Sequence, residues 1–162
     1  SDLRRQRQMC IRDSLKVEEK MRPVERCRLA RPEDTVRLVF ARPLPSRRTG
    51  AVMIVSAENR LVGIFTDSDL AKLFGNRQDN ALDRPIGEVM TREPISVLEG
   101  TRLEDAVSLL DSCRVSELPV IDKSGCPSGL IDIVDLVGGD LAASSRDSSS
   151  TETDQCRHSS AA

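Results

Sequence analysis

"GIFTDSDL" occupies residues 63–70 of this chain, and "GLIDIVDL" occupies residues 129–136. Both stretches begin with glycine and two apolar residues, and both carry Asp-Leu at their last two positions. The same offset of 66 residues extends the match upstream to about Leu29, and it places Glu33 on Glu99. Self-similarity at a fixed offset is the sequence signature of a repeated structural unit. The sequence therefore predicts two copies of one small unit.

The two copies are expected to span residues 15–80 and 81–140. Residues 1–14 show no periodicity and do not fit the repeat, and they resemble translated sequencing-adaptor DNA. They are interpreted as a disordered or non-native leader. Residues 141–162 are rich in Ser, Asp and Thr and offer little to bury, so they are expected to form a disordered polar tail.

The second copy is predicted to fold in the order strand, helix, strand, strand, helix. Short apolar runs bounded by turn residues indicate the strands. The pattern "TRLEDAVSLLDSC" indicates the first helix, with Thr101 and Glu104 as a capping box at its start. One face of that helix is expected to be buried, and it comprises Leu103, Ala106, Val107 and Leu110. The predicted fold class is therefore α/β, of the α+β kind, with two tandem β-α-β-β-α units packed as a pseudo-two-fold pair.

The first copy fits the same order, with one departure in its first helix. Pro43 and Pro45 fall where the second copy is still helical. A proline inside a helix removes a backbone hydrogen bond and clashes with the preceding turn. We therefore expect this helix to end near Ala41, followed by an irregular connection. The sequence leaves open whether the proline segment is an adaptation or an error in the sequence.

Composition argues against several classes of protein. The chain has 24 Lys+Arg and 26 Asp+Glu, so it lacks the basic surplus that binding to nucleic acid requires. It has no Trp or Tyr, and no apolar run is long enough to cross a membrane. Its five cysteines show no metal-ligand spacing and are expected to be free thiols. Its only histidine, His158, lies in the polar tail, which weakens any histidine-dependent catalysis or metal site.

The repeated pattern resembles a CBS domain pair, a family named for cystathionine β-synthase. The resemblance covers about residues 17–138 and rests on "VMTREP" before the second copy and on the pattern G-h-h-T-x-x-D-L, in which h is apolar. "LVGIFTDSDLAKL" is further similar to the first CBS unit of the arabinose 5-phosphate isomerases. In that family the catalytic sugar-isomerase domain precedes the CBS pair and contributes to synthesis of the Kdo sugar of the bacterial outer membrane. The resemblance thus implies a bacterial, cytoplasmic, non-catalytic regulatory half.

Thr66 and Asp69 are the principal candidate ligand-binding residues. Thr66 ends a predicted strand just before a helix, where unpaired amides favour an anionic phosphate. Asp69 lies one turn into that helix, where its carboxylate can accept hydrogen bonds from both ribose hydroxyls. An acidic residue near a helix start is also stabilising without any ligand. Helix capping alone therefore remains an alternative explanation of this pair.

The second copy offers a weaker candidate site. Asp135 matches Asp69, but Asp132 replaces Thr66 and would repel a phosphate.

Arg48 and its neighbour Arg47 are weaker candidates for phosphate contacts, and Arg114 has the same status. Two further residues, Ser116 and Pro119, are expected to line a pocket only because the resemblance implies it.

The function predicted from these features is sensing of a small-molecule nucleotide or nucleotide sugar. The expected regulatory ligand is an adenosine- or cytidine-type nucleotide, with no required cofactor and no metal. The expected partners are an absent N-terminal isomerase domain and further copies of the chain in a homo-oligomer. The alternative from a different class is a ligand-free CBS scaffold for oligomerisation. No catalytic residues are predicted, because the foldable part lacks a convincing nucleophile and base.

Overall fold

The computed structural model of the chain describes residues 15–43 and 50–142. The predicted leader, Pro45, Arg47, Arg48 and residues 143–162 lie outside the described residues. Eight strands are found in the described part: β1 (Arg22–Pro23), β2 (Arg28–Ala30), β3 (Ala51–Val55), β4 (Leu61–Thr66), β5 (Thr91–Arg92), β6 (Val97–Leu98), β7 (Glu117–Ile121) and β8 (Pro127–Asp132).

Five α-helices alternate with these strands in the described residues: α1 (Val36–Ala41), α2 (Asp67–Gly75), α3 (Ile86–Val89), α4 (Leu103–Cys113) and α5 (Ile133–Ala142). Single 3-10 turns span Val17–Glu19 and Val24–Arg26, and a longer one spans Asp79–Asp83. From β2 to α2 and again from β6 to α5, the order is strand, helix, strand, strand, helix. The predicted mixed fold of two similar units is thus confirmed.

The strands form two four-stranded sheets, in the orders β2-β3-β4-β5 and β1-β8-β7-β6. Within each sheet the pair on either side of the first helix is parallel, and the next pair is antiparallel. The sheets exchange their outer strands. Arg22 of β1 pairs with Leu130 of the second copy, and Thr91 of β5 pairs with Ile64 of the first. The segment leading into each unit therefore completes the sheet of the other.

The glycine of each repeated phrase makes room for a methionine on the exchanged strand segment. A Cβ atom at Gly63 would collide with the side chain of Met90, and one at Gly129 would lie 2.7 Å from the Met21 sulfur. The sequence predicted a close approach at both glycines. Met90 is the approaching group at Gly63, whereas at Gly129 the Arg22 carbonyl oxygen lies even nearer than Met21, at 2.5 Å, so both glycines permit the strand exchange.

The buried apolar residues form three clusters, one of which joins the two sheets. The first unit has its own core around Phe65 and Ile86, and the second has one around Leu110 and Leu118. A third cluster combines both units and contains Cys27, Ala51, Met53, Ile64 and Leu130, all at most 8% exposed. Burial raises the pKa of the Cys27 thiol to about 11, so the thiol is neutral in this shared core.

The first helix of the first unit, α1, is short and ends against a buried arginine. Helix α1 ends at Ala41 as predicted, and the buried guanidinium of Arg28 donates to the carbonyls of Val39 and Arg42 at its end. This donor satisfies carbonyls that a longer helix would have paired internally. Arg28 also lies 5.0 Å from the centre of the Phe40 ring, a cation–π contact.

Two predictions for helix α4 are wrong. The residue that precedes the helix is Arg102, one position later than predicted, and its side chain makes no capping hydrogen bond, while the Thr101 hydroxyl donates to the Leu98 carbonyl at 2.6 Å. Val107 is 43% exposed, whereas Ala106 and Leu110 are buried as expected. The buried face packs on the second unit's own sheet and on Val17 rather than in the shared cluster.

Candidate ligand-binding cleft

The start of helix α2 is built by reciprocal hydrogen bonds between Thr66 and Asp69. The Thr66 hydroxyl accepts from the Asp69 amide at 3.2 Å, and the Asp69 carboxylate accepts from the Thr66 amide at 3.1 Å. The Thr66 hydroxyl also donates to the same carboxylate oxygen at 3.0 Å. This is a capping box, which satisfies amides that a helix start leaves unpaired. The capping predicted for Thr66 is therefore present.

The second oxygen of the Asp69 carboxylate faces outward. It accepts from the Lys72 ammonium at 3.2 Å, and Lys72 is itself largely exposed. Partial burial alone would raise the pKa of Asp69, but hydrogen bonds from Thr66 and Lys72 outweigh it and hold that pKa below its ordinary value. Asp69 is therefore an anion with one oxygen committed to the helix and one held only by an exposed lysine.

A cleft of about 340 Å³ opens beside this helix start. One wall comes from the first unit and carries Ile64, Thr66, Ser68, Asp69 and Lys72. The facing wall comes from the second unit, and it comprises residues 91, 93–95 and 114–117. Because β5 crosses to the first sheet, the strand exchange brings these two walls together. A larger hollow of about 550 Å³ near Pro32 and Arg92 contains none of the predicted site residues.

The cleft combines apolar walls with charged groups of both signs. Its apolar lining consists of Ile64, Pro94, Ile95 and Val115. Ile95 is 44% exposed, so its side chain offers apolar surface to a ligand. Lys72 and Arg114 supply the positive charges, and Asp69, Glu93 and Glu117 supply carboxyl groups. Such a lining suits a ligand with one flat apolar part and one anionic part.

Glu117 is the unusual carboxyl group of this cleft. Burial, followed by the nearby carboxylates of Asp132, Asp67 and Asp69, raises the pKa of Glu117 to about 7, although Arg22 opposes the shift. Glu117 starts strand β7 directly after the cleft-lining residue Ser116. Its side chain therefore lies between the first cleft and the acidic residues of the second copy.

In the second copy, an arginine contacts Asp132 and Asp135, the residues that match Thr66 and Asp69. Arg22 donates to the Asp135 carboxylate at 2.6 Å and to the Asp132 carboxylate at 3.4 Å. Asp132 also accepts from the Val134 amide at 2.9 Å, so it caps helix α5 as Thr66 caps α2. The Asp132 side chain is 6% exposed and that of Arg22 is 7% exposed. Among the described residues, side chains of the same chain therefore occupy the space beside the start of helix α5.

The structure brings together three of the predicted site residues, Thr66, Asp69 and Ser116, and Arg114 joins them. Asp135 lies apart from them, in the second copy, where it pairs with Arg22. Pro119 is buried in β7 opposite Leu130 and does not line the cleft. Alternation along the strand places Pro119 on the face of the cleft-lining Glu117 and away from Leu118 and Val120 of the second unit's core, and its position in a pocket wall stays a prediction.

Sequence reasoning missed Arg22, Glu117 and the segment 91–95. The available signal was the offset of 69 residues between Met21 and Met90, which places Arg22 on Thr91. Groups of side chains that could hold a metal ion are absent from residues 15–43 and 50–142. Within the same residues, every helix is too short or too polar to cross a membrane.

A family model for the CBS domain matches residues 86–140. Among curated proteins, the chain is 37% identical over 86 residues to the arabinose 5-phosphate isomerase KpsF of Escherichia coli, covering 53% of this chain and 26% of that protein. It is 30% identical over 123 residues to the isomerase KdsD of Francisella tularensis, covering 76% of this chain and 37% of that protein. The chain thus spans well under half the length of these relatives, and the predicted resemblance to them is confirmed.

Solved structures share the fold. CBSX2 of Arabidopsis thaliana, crystallised in complex with AMP, has a TM-score of 0.64 at 24% identity, covering 80% of this chain and 98% of that one. The CBS domain pair of protein MJ0100, in complex with 5′-methylthioadenosine and S-adenosyl-L-methionine, has a TM-score of 0.65 at 21% identity and the same coverage. Residues 86–140 thus match the CBS domain family, and the chain has the fold of a CBS domain pair.

Proposed function

We propose that this chain is a regulatory module that binds one adenosine-type nucleotide in the cleft at Thr66 and Asp69. The observation that carries the proposal is the arrangement of this cleft. A capped helix start with an outward carboxylate faces a wall of the other unit that carries apolar residues, Arg114 and two glutamates, in a fold that other proteins use to hold adenine compounds. These complexes give no support to the cytidine-type alternative.

Each part of an adenine nucleotide has a suitable neighbour in the cleft. The base fits among the side chains of Ile64, Ile95 and Val115, which offer apolar contact and carry no polar atoms. The ribose hydroxyls replace Lys72 on the outward oxygen of Asp69. The phosphate then meets the Ser68 hydroxyl near the helix start, with the released Lys72 and Arg114 as counter-charges.

A thermal-shift series on the full chain tests this function. The probes are AMP, 5′-methylthioadenosine and CMP, each measured against the free protein. AMP at 100 times its dissociation constant is expected to stabilise the fold by about 2.7 kcal/mol. 5′-Methylthioadenosine lacks the phosphate and is expected to shift the melting temperature less at equal concentration. Absence of a shift with every adenine compound at millimolar concentration would refute the proposal.

The parent protein is proposed to be a bacterial, cytoplasmic arabinose 5-phosphate isomerase of Kdo synthesis, in which this pair biases an attached catalytic domain. The partial matches to KpsF and KdsD support this assignment. The chain itself is proposed to be non-catalytic, because proton transfer at carbon needs a positioned base and a sugar-phosphate pocket. Conversion of arabinose 5-phosphate by the purified chain, followed by NMR, would contradict this proposal.

A specific observation also favours a scaffold for self-association. Helix α5 exposes three apolar side chains at its start, Ile133, Val134 and Val137, and Phe74 is exposed on α2. Large apolar side chains grouped on a helix surface are typical of interfaces between chains. The capping box also explains Thr66 and Asp69 without a ligand. An oligomer in sedimentation experiments, combined with no nucleotide-induced shift, would favour this second function.

A further inference from the structure

The second cleft differs from the first at the positions that would meet a nucleotide. Arg22 pairs with Leu130 across β1 and β8, as Thr91 pairs with Ile64 across β5 and β4, so Arg22 takes the position of Thr91. The helix starts correspond as well. The Asp67 amide donates to the Gly50 carbonyl at 3.2 Å, and the Ile133 amide donates to the Ser116 carbonyl at 2.9 Å.

The guanidinium of Arg22 binds the acidic groups that a ribose would need. Asp135 corresponds to Asp69. The outward oxygen of Asp69 can bind a ligand once the exposed Lys72 is displaced from it. In contrast, Asp135 is held at 2.6 Å by an arginine that is itself 93% buried, and the same arginine contacts Asp132. Exchanging Arg22 for a neutral ribose would break the ion pair between Arg22 and Asp132, whose side chains are only 7% and 6% exposed, whereas the Asp135 side chain is 31% exposed.

Space is also restricted in the second cleft. The Gly50 backbone adopts a positive φ of 59°, and a Cβ atom there would lie 2.8 Å from the Asp132 carboxylate. The Asp132 carboxylate thus lies between the Gly50 backbone and the first amides of helix α5. A phosphate at that helix start would meet a carboxylate where the first cleft offers the Thr66 hydroxyl.

We infer that Arg22 is a built-in occupant of the second cleft, and that it restricts the pair to one nucleotide per chain. This inference rests on the proposed nucleotide site at Asp69 and deepens it. Arg22 pairs with the Asp135 carboxylate, which would otherwise bind the ribose. The Asp132 carboxylate repels a phosphate at the start of helix α5. Both residues must therefore change before the second cleft can accept a ligand.

The test exchanges these residues between the clefts of the full chain. The variant Arg22→Thr/Asp132→Thr carries the first cleft's residues in the second cleft. The mirror variant Thr66→Asp/Thr91→Arg carries the second cleft's residues in the first. Isothermal titration with AMP gives the stoichiometry and affinity of each, and circular dichroism confirms that each variant is folded. The expected stoichiometries are one for the wild type, two for the first variant and none for the mirror variant.

Asp69→Ala provides a measurement that leaves the second cleft unaltered. If Arg22 closes that cleft, this substitution weakens AMP binding about tenfold or more and uncovers no residual site of wild-type affinity. This arm keeps the inference open to refutation even if Arg22→Thr/Asp132→Thr fails to fold.

The outcomes separate the inference from the proposed function. Two sites in the wild type, or one site in both the wild type and Arg22→Thr/Asp132→Thr, would overturn the inference and leave the function standing. No site in the wild type but one in Arg22→Thr/Asp132→Thr would support the inference and overturn nucleotide binding by the natural first cleft. No binding by either protein would overturn both.

Discussion

Glu117 and Asp132 lie directly opposite each other on the antiparallel strands β7 and β8. Two carboxyl groups at paired positions repel each other when both are ionised. Arg22 neutralises Asp132, but it does not prevent burial and the surrounding carboxylates from raising the pKa of Glu117 to about 7. A proton on Glu117 therefore belongs to the folded state near neutral pH.

The first prediction concerns the stability of the fold against pH. Since the folded pKa of Glu117 is about 7 and its ordinary value is 4.5, the folded state retains a proton that the unfolded state has lost between these values. Rising pH therefore favours unfolding across this window. Glu117→Gln should flatten this part of the melting-temperature profile and raise the melting temperature at pH 8 by a few degrees. The exposed Glu88→Gln serves as the control, and the same profile in both variants would contradict the prediction.

The second prediction separates the capping role of Asp69 from ligand binding. Asp69→Ala removes the capping acceptor and should cost about 1 kcal/mol of the free energy of unfolding, as well as weakening AMP binding about tenfold or more. Asp69→Asn keeps an oxygen for the Thr66 amide but loses the charge. It should recover most of the stability and little of the affinity in denaturation and titration experiments. Wild-type affinity in both variants would reduce Asp69 to a helix cap.

The third prediction concerns the buried ion pairs of Arg22. Arg22→Ala leaves Asp132 buried beside Glu117 without its guanidinium partner, and should cost about 3–5 kcal/mol. Asp132→Asn added to Arg22→Ala removes the uncompensated charge and should restore part of that loss. Urea denaturation of both variants measures the difference. A double variant no more stable than Arg22→Ala would show that Asp132 is not the charge that Arg22 compensates.

The fourth prediction tests the cluster shared by the two units. Met53 is fully buried in that cluster beside Ile64 and Leu130. Met53→Ala should therefore cost about 2–5 kcal/mol. The chain should still unfold in one transition, since both sheets depend on the same contacts. Leu98→Ala, at a half-exposed position of β6, should cost much less in the same calorimetric experiment. Two separate transitions in the wild type would contradict a shared core.

The fifth prediction concerns self-association through helix α5. Val137 is 60% exposed, one turn after the exposed Val134. Val137→Lys places a charge on this apolar surface and should shift the sedimentation coefficient towards that of a monomer. Val107→Lys adds the same charge on helix α4, where Val107 is 43% exposed, and should leave the association unchanged. Equal sedimentation of the wild type and both variants would exclude this surface from the interface.

Local features of the sequence predicted the fold's elements well. The order of strands and helices along each unit, the end of α1 at Ala41 and the cap at Thr66 follow from hydrophobic period, proline chemistry and capping preferences, which act over a few residues. The capping box predicted at Thr101 was wrong, because helix α4 begins one residue later, after Arg102, whose side chain makes no capping hydrogen bond. Where a helix begins to within one residue depends on backbone geometry that the residue types alone do not specify.

By itself, the sequence determined that two similar units are present and that Thr66 and Asp69 stand at a helix start. Only the tertiary structure decided what faces them. The exchange of β1 and β5 between the sheets places residues 91–95 in the first cleft and Arg22 in the second. Backbone pairing between strands far apart in sequence depends on how the whole chain packs. The charged groups that meet in each cleft therefore come from segments far apart in the sequence, which no local sequence pattern links.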